Sequence, residues 1–433
     1  MVDVPSSSNR GSFAAVVARL MSVNVVLLLS GLLTGPIIAH VLGAEGRGEL
    51  AAITAVLTLG PAVLDLGTSN WIARERATGR ERGEILGAVL PTLAIASAVA
   101  VASALPLAEA LGQERDDVET FVRVALLAMP ATIVLQALLA FAIGESRWTL
   151  YARAQIAGIV LPAGAVVLLW LLGELSVARA AIAYVAGPVV AKLALLAFLR
   201  GIGPLRLEAR RTREALSFSL RSWLGTVTAL ANNRLDQLLM AALVPSRELG
   251  HYAVAVTISA IAFGLGAAVS GAIYPRVAAG DGALAARACR IAVLLASVAA
   301  LLLMVATPWL VPFAFGEEFR DAVAMTEVLL LSSVPATGTL VLTAALTASG
   351  DPGSPMRAEL ATLAVTVPAL VLLLPGHGGD AAAAISLGAY LLRTTLQLRA
   401  VERTFTRPWR SFVLVERDDL RWLARAARRR ARA

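Results

Sequence analysis

Hydrophobic positions in this chain do not alternate with polar ones; they come in long blocks. Twelve apolar stretches fall at about 16–39, 49–73, 85–108, 119–143, 149–172, 177–199, 216–243, 249–273, 287–311, 321–349, 356–374 and 380–400. Most are near or above the roughly 20 residues that an α-helix needs to cross the hydrocarbon core of a bilayer. The stretches at 216–243 and 321–349 are long enough to tilt or break. Twelve helices with short turns use nearly the whole chain, which predicts an all-α integral membrane protein with no room for a soluble domain. Met1 to Gly11 is polar, and the first apolar run is too long for the core of a cleavable signal, so it reads as a retained helix.

The polar connections add direction. Arg74, Arg76, Arg80 and Arg82 follow the second stretch; Arg200, Arg206, Arg210, Arg211 and Arg213 follow the sixth; Arg276, Arg287 and Arg290 follow the eighth. The intervening loops are neutral or acidic, as in Glu109 to Glu119 and Glu317 to Asp321. Basic residues stay on the cytoplasmic side of a membrane, so the pattern predicts a weave with both termini in the cytoplasm. The basic linker Arg200 to Ala215 falls mid-chain and divides it into lobes at 1–205 and 206–400, followed by a basic tail at 401–433.

Those lobes read as a duplication. At an offset of 202 positions Arg19 aligns with Arg221, Gly48 with Gly250, Ala51 with Ala253 and Arg74 with Arg276. Six helices per lobe keep both copies in one orientation, giving parallel repeats about an axis along the membrane normal, a recurring transporter plan with a central cavity.

Composition agrees with this class. Of 433 residues, 58% are hydrophobic and 16% charged, against about a quarter charged in ordinary soluble domains. The pI of 10.6 does not signal nucleic acid, because the arginines abut an anionic leaflet. A lone cysteine, Cys289, excludes an internal disulfide, and three scattered histidines make no ligand set. Neither a phosphate-cradling glycine loop with lysine nor an outer loop large enough for a catalytic site is present. The reading is therefore a non-enzyme with no cofactor, open to coupling with a proton, sodium or the membrane potential.

Three segments carry a family resemblance. HVLGAEGRGELAAI (40–53) with VLDLGTSNWIAR (63–74) resembles the first two helices of bacterial polysaccharide flippases. NNRLDQLLMAALVPSRELGHYAVAVTISA (232–260) is similar to their helix seven to eight region, with its Arg-x-Asp and Gly-x-Tyr-x-x-Ala. FGEEFRDA (315–322) and ALTASGDP (345–352) fit the ninth to eleventh helices. In that order and spacing they resemble the O-antigen and exopolysaccharide branch of the multidrug/oligosaccharidyl-lipid/polysaccharide exporter superfamily. The resemblance implies a two-lobed bundle in the bacterial cytoplasmic membrane, with a cavity lined by helices one, two, seven and eight. The cargo it implies is a polyprenyl-diphosphate-linked oligosaccharide. Expected partners are that lipid, membrane lipids, and the polysaccharide polymerase and glycosyltransferases that make and use it.

Charged residues inside a bilayer are costly and mark function. Arg234 and Asp236 stand in the seventh helix, two residues apart, so they point to different faces and each needs another partner; Asn232 shares a face with Asp236. Arg19 and Arg221 begin helices one and seven, and Arg74 and Arg276 end helices two and eight, so four arginines can ring the inner mouth. The arginine fork matches phosphate oxygens. The alternative is that they simply obey the charge rule. Asn24 bonds sugar hydroxyls or glues helices together. Asp65, beside Gly60, Pro61 and Gly67, caps a kinked helix or binds a coupling cation. Lys192, the only lysine, snorkels, pairs with an acid or touches cargo. Trp71, Trp148, Trp170, Trp223 and Trp309 read as interfacial anchors. The tail from Leu420 is either an interfacial amphipathic helix or a disordered basic extension.

Two other transport readings stand beside the flippase. A cation-coupled drug antiporter of the same superfamily would keep acidic membrane residues, for which Asp65 and Asp236 qualify. A peptidoglycan-precursor flippase would carry more than one charge in the middle of helix one, where this chain has Asn24.

Overall fold

The computed structural model describes residues 7–112, 116–278, 282–416 and 418–419. Among the described residues the regular structure is helical throughout, with no strand. The apolar stretches lie mainly in helix, with turns inside the second (65–67), the third (103) and the fourth (128). The elements are α1 (Ser7–Leu64), α2 (Thr68–Ala77), α3 (Arg82–Ala102), α4 (Ala104–Gly112), α5 (Asp116–Leu127), α6 (Met129–Gly144), α7 (Trp148–Leu171) and α8 (Val177–Lys192). A 3₁₀ stretch continues α8 over Leu193–Gly201. Then follow α9 (Ala209–Leu243), α10 (Ser246–Ala278), α11 (Gly282–Phe315), α12 (Ala322–Ala348), α13 (Gly353–Phe405) and the short α14 (Arg410–Val413).

Two of these are too long to be single helices. The 58 residues of α1 would extend about 87 Å at 1.5 Å per residue, nearly three hydrocarbon cores. The chain departs from helical geometry at Gly43, with φ 67° and ψ −174°, a conformation that a side chain resists. Likewise α13 is interrupted at Gly378, with φ 50° and ψ −135°. Each is thus two helices joined at a glycine. Among the described residues seven helices are long and apolar enough to cross a membrane, or eight when the pair α5–α6, bent by 45°, counts as one span. The protein is a multi-pass membrane protein. The seventh and eighth stretches, in α9 and α10, are not among the seven; in the seventh the polar run Asn232, Asn233, Arg234, Asp236 dilutes its hydropathy.

By packing, the chain divides into two units, Met1–Ala253 and Val254–Ala433. In the first, α1 packs on α7, α8 and α9, α2 on α6 and α9, and α7 on α8. In the second, α12 lies between α11 and α13. Its core is alanine-rich, with Ala285, Ala286, Cys289, Ala292, Val341, Leu342 and Ala345 buried together. Small residues let helices approach closely where lipid provides no hydrophobic drive to pack.

The basic linker is not loose. Arg206 and Arg211 both reach the Glu84 carboxylate in the first turn of α3, at 3.2 and 2.6 Å. The backbone of 203–206 lies against Gly83 and Gly87, where a Cβ would meet carbonyl oxygens.

The chain beyond α13 also folds onto its unit. α14 packs on α11, and Phe412 is fully buried in the core with Val401. Arg290, 4% exposed, donates to Asp419 through Nε at 2.6 Å and Nη2 at 3.0 Å, and to the Ser411 carbonyl through Nη1. Arg287 adds a contact to Asp419 at 3.3 Å. The remaining tail, with Arg421, Arg425, Arg428 and Arg432, lies outside the described residues. The Arg290 hydrogen bonds hold the Asp419 carboxyl below its ordinary value despite burial. A depressed carboxyl stabilises above its unfolded pKa, near 3.9, and that contribution is lost as pH falls through the folded value. Protease protection of residues 408–419 is therefore expected to hold from about pH 8 to about pH 5 and to fail only below about pH 4. Asp419→Asn should expose the segment at neutral pH. Loss of protection in wild type near neutrality would contradict this.

Candidate functional site at the arginine-rich end of the first unit

The second apolar stretch is broken, and the break organises the site. Pro61 lacks an N–H, and Leu66 and Gly67 adopt left-handed conformations with φ 48° and 75°. Their N–H groups would have bonded to the Ala62 and Val63 carbonyls in a continuing helix. Instead the indole Nε1 of Trp223, on α9, donates to those two carbonyls at 3.2 and 2.9 Å. Gly67 sits so close to α9 that a Cβ would lie 2.3 Å from the Ser219 carbonyl oxygen.

Asp65 lies within the break. Its carboxylate accepts from the Thr68 hydroxyl and the Ser69 hydroxyl, both at 2.8 Å, and from the Ser69 amide at 3.3 Å. It thereby caps the restarted helix α2, supplying an acceptor where amides are orphaned.

Carrying on from that cap, α2 brings its side chains to α9. Asn70 donates to the Ser222 hydroxyl at 2.6 Å. Arg74 lays its guanidinium over the Phe218 ring, 4.7 Å from the centroid. Arg221 bonds to the Ser217 carbonyl and hydroxyl, at 3.0 and 3.1 Å, and is exposed. Arg74 and Arg221 thus meet the same turn of α9. Arg19 is exposed on α1, and so is Asn24; the structure shows no contact that draws either to this turn. Arg276 belongs to α10, but its side chain lies outside the described residues.

Most neighbouring arginines are neutralised. Glu145 accepts from Arg76 Nε at 2.8 Å and Arg82 Nη2 at 2.6 Å. Arg82 and Arg147 also face the Phe198 ring, 4.9 and 5.0 Å from its centroid. Burial opposes ionisation of Glu145, but the hydrogen bonds and charges of Arg82 and Arg76 outweigh it and hold the carboxyl below its usual range. Arg80 pairs with Glu75 at 2.7 Å. Among the described residues Arg74 and Arg221 have no carboxylate partner.

Farther along α9, Asp236 accepts from the hydroxyl of the fully buried Tyr252 and from the Gln237 amide at 2.8 Å. Arg234 reaches the Gln237 side-chain carbonyl at 3.4 Å. The two charges are therefore linked through Gln237, and the described side-chain partner of Asp236 is Tyr252. Asn232 is half-buried one turn before Asp236. Lys192 donates to the Gln136 side-chain carbonyl at 3.2 Å.

Several residues emerge only here. Gly-x-Tyr-x-x-Ala contains Tyr252, but nothing in the sequence paired it with Asp236. Trp223 serves a broken helix rather than a lipid interface, and Trp71 is 4% exposed. In the second unit Arg393, 3% exposed, gives Nη1 to both Glu359 oxygens at 2.8 Å. It also stacks on Tyr390, 4.8 Å from the ring centroid. Two charges 34 residues apart on either side of the Gly378 joint carry no sequence signal of pairing. Thr339 and Thr394 share a hydrogen bond nearby at 2.7 Å.

Solved structures share the fold. A lipid II flippase MurJ in an inward closed conformation superposes with a TM-score of 0.75 at 11% identity, over 91% of this chain and 89% of that one. An inward-facing multidrug resistance MATE transporter gives 0.67 at 15% identity, over 90% and 98%. A further MATE multidrug transporter, DinF-BH, gives 0.60 at 16%, over 93% and 96%. No curated protein matches by sequence. Residues 14–280 match the polysaccharide biosynthesis protein family. The chain belongs to that family, and it shares the all-helical fold of those solved transporters.

The helix break and the buried pair can both be tested through stability. Trp223→Phe keeps the ring but orphans two carbonyls, and should cost about 1–3 kcal/mol in detergent unfolding. Asp65→Asn should be milder than Asp65→Ala, which should cost about 1 kcal/mol, since asparagine also caps. In the second unit, Arg393→Met should destabilise by about 3–5 kcal/mol, while Arg393→Met combined with Glu359→Leu should recover most of the loss. Additive losses in the double variant would contradict this.

Proposed function

We propose that this transporter flips a polyprenyl-diphosphate-linked oligosaccharide across the bacterial cytoplasmic membrane for cell-surface polysaccharide synthesis. The observation that carries the reading is the convergence of Arg74 and Arg221 on one α9 turn, unneutralised, while Arg76, Arg80, Arg82, Arg206 and Arg211 are tied to Glu145, Glu75 and Glu84. Those bound arginines account for the fold of this end. Among the arginines without a carboxylate, Arg74 and Arg221 share one turn of α9 and match a diphosphate, whose oxygens the guanidinium fork bonds in pairs.

In this reading the arginine-rich end faces the cytoplasm, as does each terminus. The diphosphate docks on Arg74 and Arg221. The sugar enters the cavity and the prenyl chain stays in lipid. Asn24, Asn232, Arg234 and Asp236 offer polar contacts for hydroxyls, and Lys192 stands apart on its Gln136 bond. Alternating access moves the headgroup across with no covalent step, driven by a proton or sodium gradient or by the membrane potential. A polymerase and glycosyltransferases use and supply the cargo.

The test is a proteoliposome assay that follows a fluorescent polyprenyl-diphosphate oligosaccharide between leaflets. Arg74→Gln and Arg221→Gln should each cut transport about tenfold or more, the loss of one charge-assisted contact of about 1.5–3 kcal/mol. Arg147→Gln, an exposed guanidinium at the Glu145 cluster, should not. Equal transport by all three variants at equal folded protein would remove the site. Transport of a polyprenyl diphosphate bearing any sugar, but not of cationic dyes, separates this reading from a drug antiporter.

A further inference from the structure

Two close approaches join the Gly43 bend of α1 to the start of α10, and each is the counterpart of the other. A Cβ on Gly48 would lie 1.7 Å from the Ser246 carbonyl oxygen; a Cβ on Gly250 would lie 1.9 Å from the Ala44 carbonyl oxygen. Gly48 and Gly250 are 202 positions apart, and so are Ala44 and Ser246. A contact in which residue i of one copy meets j of the other, and j meets i, is the mark of a two-fold axis. A local axis of this kind passes between the two glycines.

The contact is made of main chain. In each case the atoms that a Cβ would strike are carbonyl oxygen and carbon, with the facing glycine nitrogen behind them at 2.9 and 3.2 Å. No rotamer change relieves such a clash, so only glycine permits the approach. Ala44, Leu249, Ala51 and Ala253 around it are buried. It lies at the far end of α9 from Arg221, where α9 gives way to α10.

We infer that this reciprocal glycine contact is the closed gate at the end opposite the arginines, and that it must part for cargo to leave. The inference rests on the chain being a transporter, and not on which cargo it carries. Transporters built from repeats expose a central site by rocking, which opens one end as the other closes. A seal of a few backbone atoms suits that motion. It excludes water without burying large side chains, so little apolar area is re-exposed on opening. Symmetry adds a second property: each glycine blocks its counterpart equally, so a methyl on either one holds the gate ajar.

The experiment uses full-length protein with Cys289→Ala. Spin labels are placed through His40→Cys and Leu243→Cys, both exposed positions at this end. The free protein is expected to show a short-distance population. Gly48→Ala and Gly250→Ala should each shift it to longer distance and abolish transport, while Gly31→Ala, where a Cβ meets nothing within 4 Å, should change neither. Ala44→Cys with Ser246→Cys, joined by a short reducible linker, should stop transport and regain it on reduction. An unchanged distance in both glycine variants, or full transport by the linked protein, overturns the gate. If wild type moves none of the lipid offered, that result counts against the cargo reading alone, and the distance shift still decides the gate.

Discussion

Hydrocarbon offers no water to an exposed N–H or C=O, so a helix that breaks within a membrane must find its partners in protein. The break at Pro61 to Gly67 obeys that constraint, and the first unit is arranged around it. The Ala62 and Val63 carbonyls take the Trp223 indole, and the restarting amides take Asp65. Gly67 brings the two chains close enough for this exchange. Because α9 satisfies the break, α2 is held against α9. Arg74 then comes to rest on Phe218, one turn from Arg221. The position of the arginines is a consequence of backbone hydrogen bonding.

Charge at this end is sorted by the same packing. Two glutamates each serve more than one arginine: Glu145 holds Arg76 and Arg82, with Arg147 at 4.0 Å, and Glu84 holds Arg206 and Arg211. A carboxylate between two guanidiniums fixes three segments at once, as Glu145 does for α2, α3 and the turn before α7. What is left over after this pairing is the positive charge available to a ligand. The second unit uses buried pairs differently. Arg290 with Asp419 anchors the chain beyond α13, and Arg393 with Glu359 joins the two arms of α13. A buried pair is costly to break and adds little net stability, so its effect is to specify which segments meet.

The duplication seen in the sequence acquires a physical meaning from two glycines. Gly48 and Gly250 occupy equivalent places because their helices cross at a local two-fold axis, and a crossing that close excludes every side chain. The second apolar stretch breaks at Asp65 to Gly67, whereas α10, at the corresponding place, runs on as helix. The copies therefore share a joint and differ in how the helix beyond it continues.

Block hydrophobicity by itself determined that the chain is an all-helical membrane protein, because a run of about 20 apolar residues has few other stable fates. Loop charge led to the expectation that the arginine-bearing helix ends share one face, and the offset of 202 to the expectation of a repeat. The sequence also offered Asp65 as a capping residue, since Gly60, Pro61 and Gly67 announce a break. It could not say that Trp223 would serve that break, that Tyr252 would take Asp236, or that Glu359 would find Arg393. Each of those pairs lies on two helices, or on two arms of one, whose relative rotation no local pattern records. The same holds for the arginines. Along the sequence they are equals, and only the tertiary structure separated those bound to glutamate from Arg74 and Arg221, because a charge is neutralised by what folding places within a few ångströms of it.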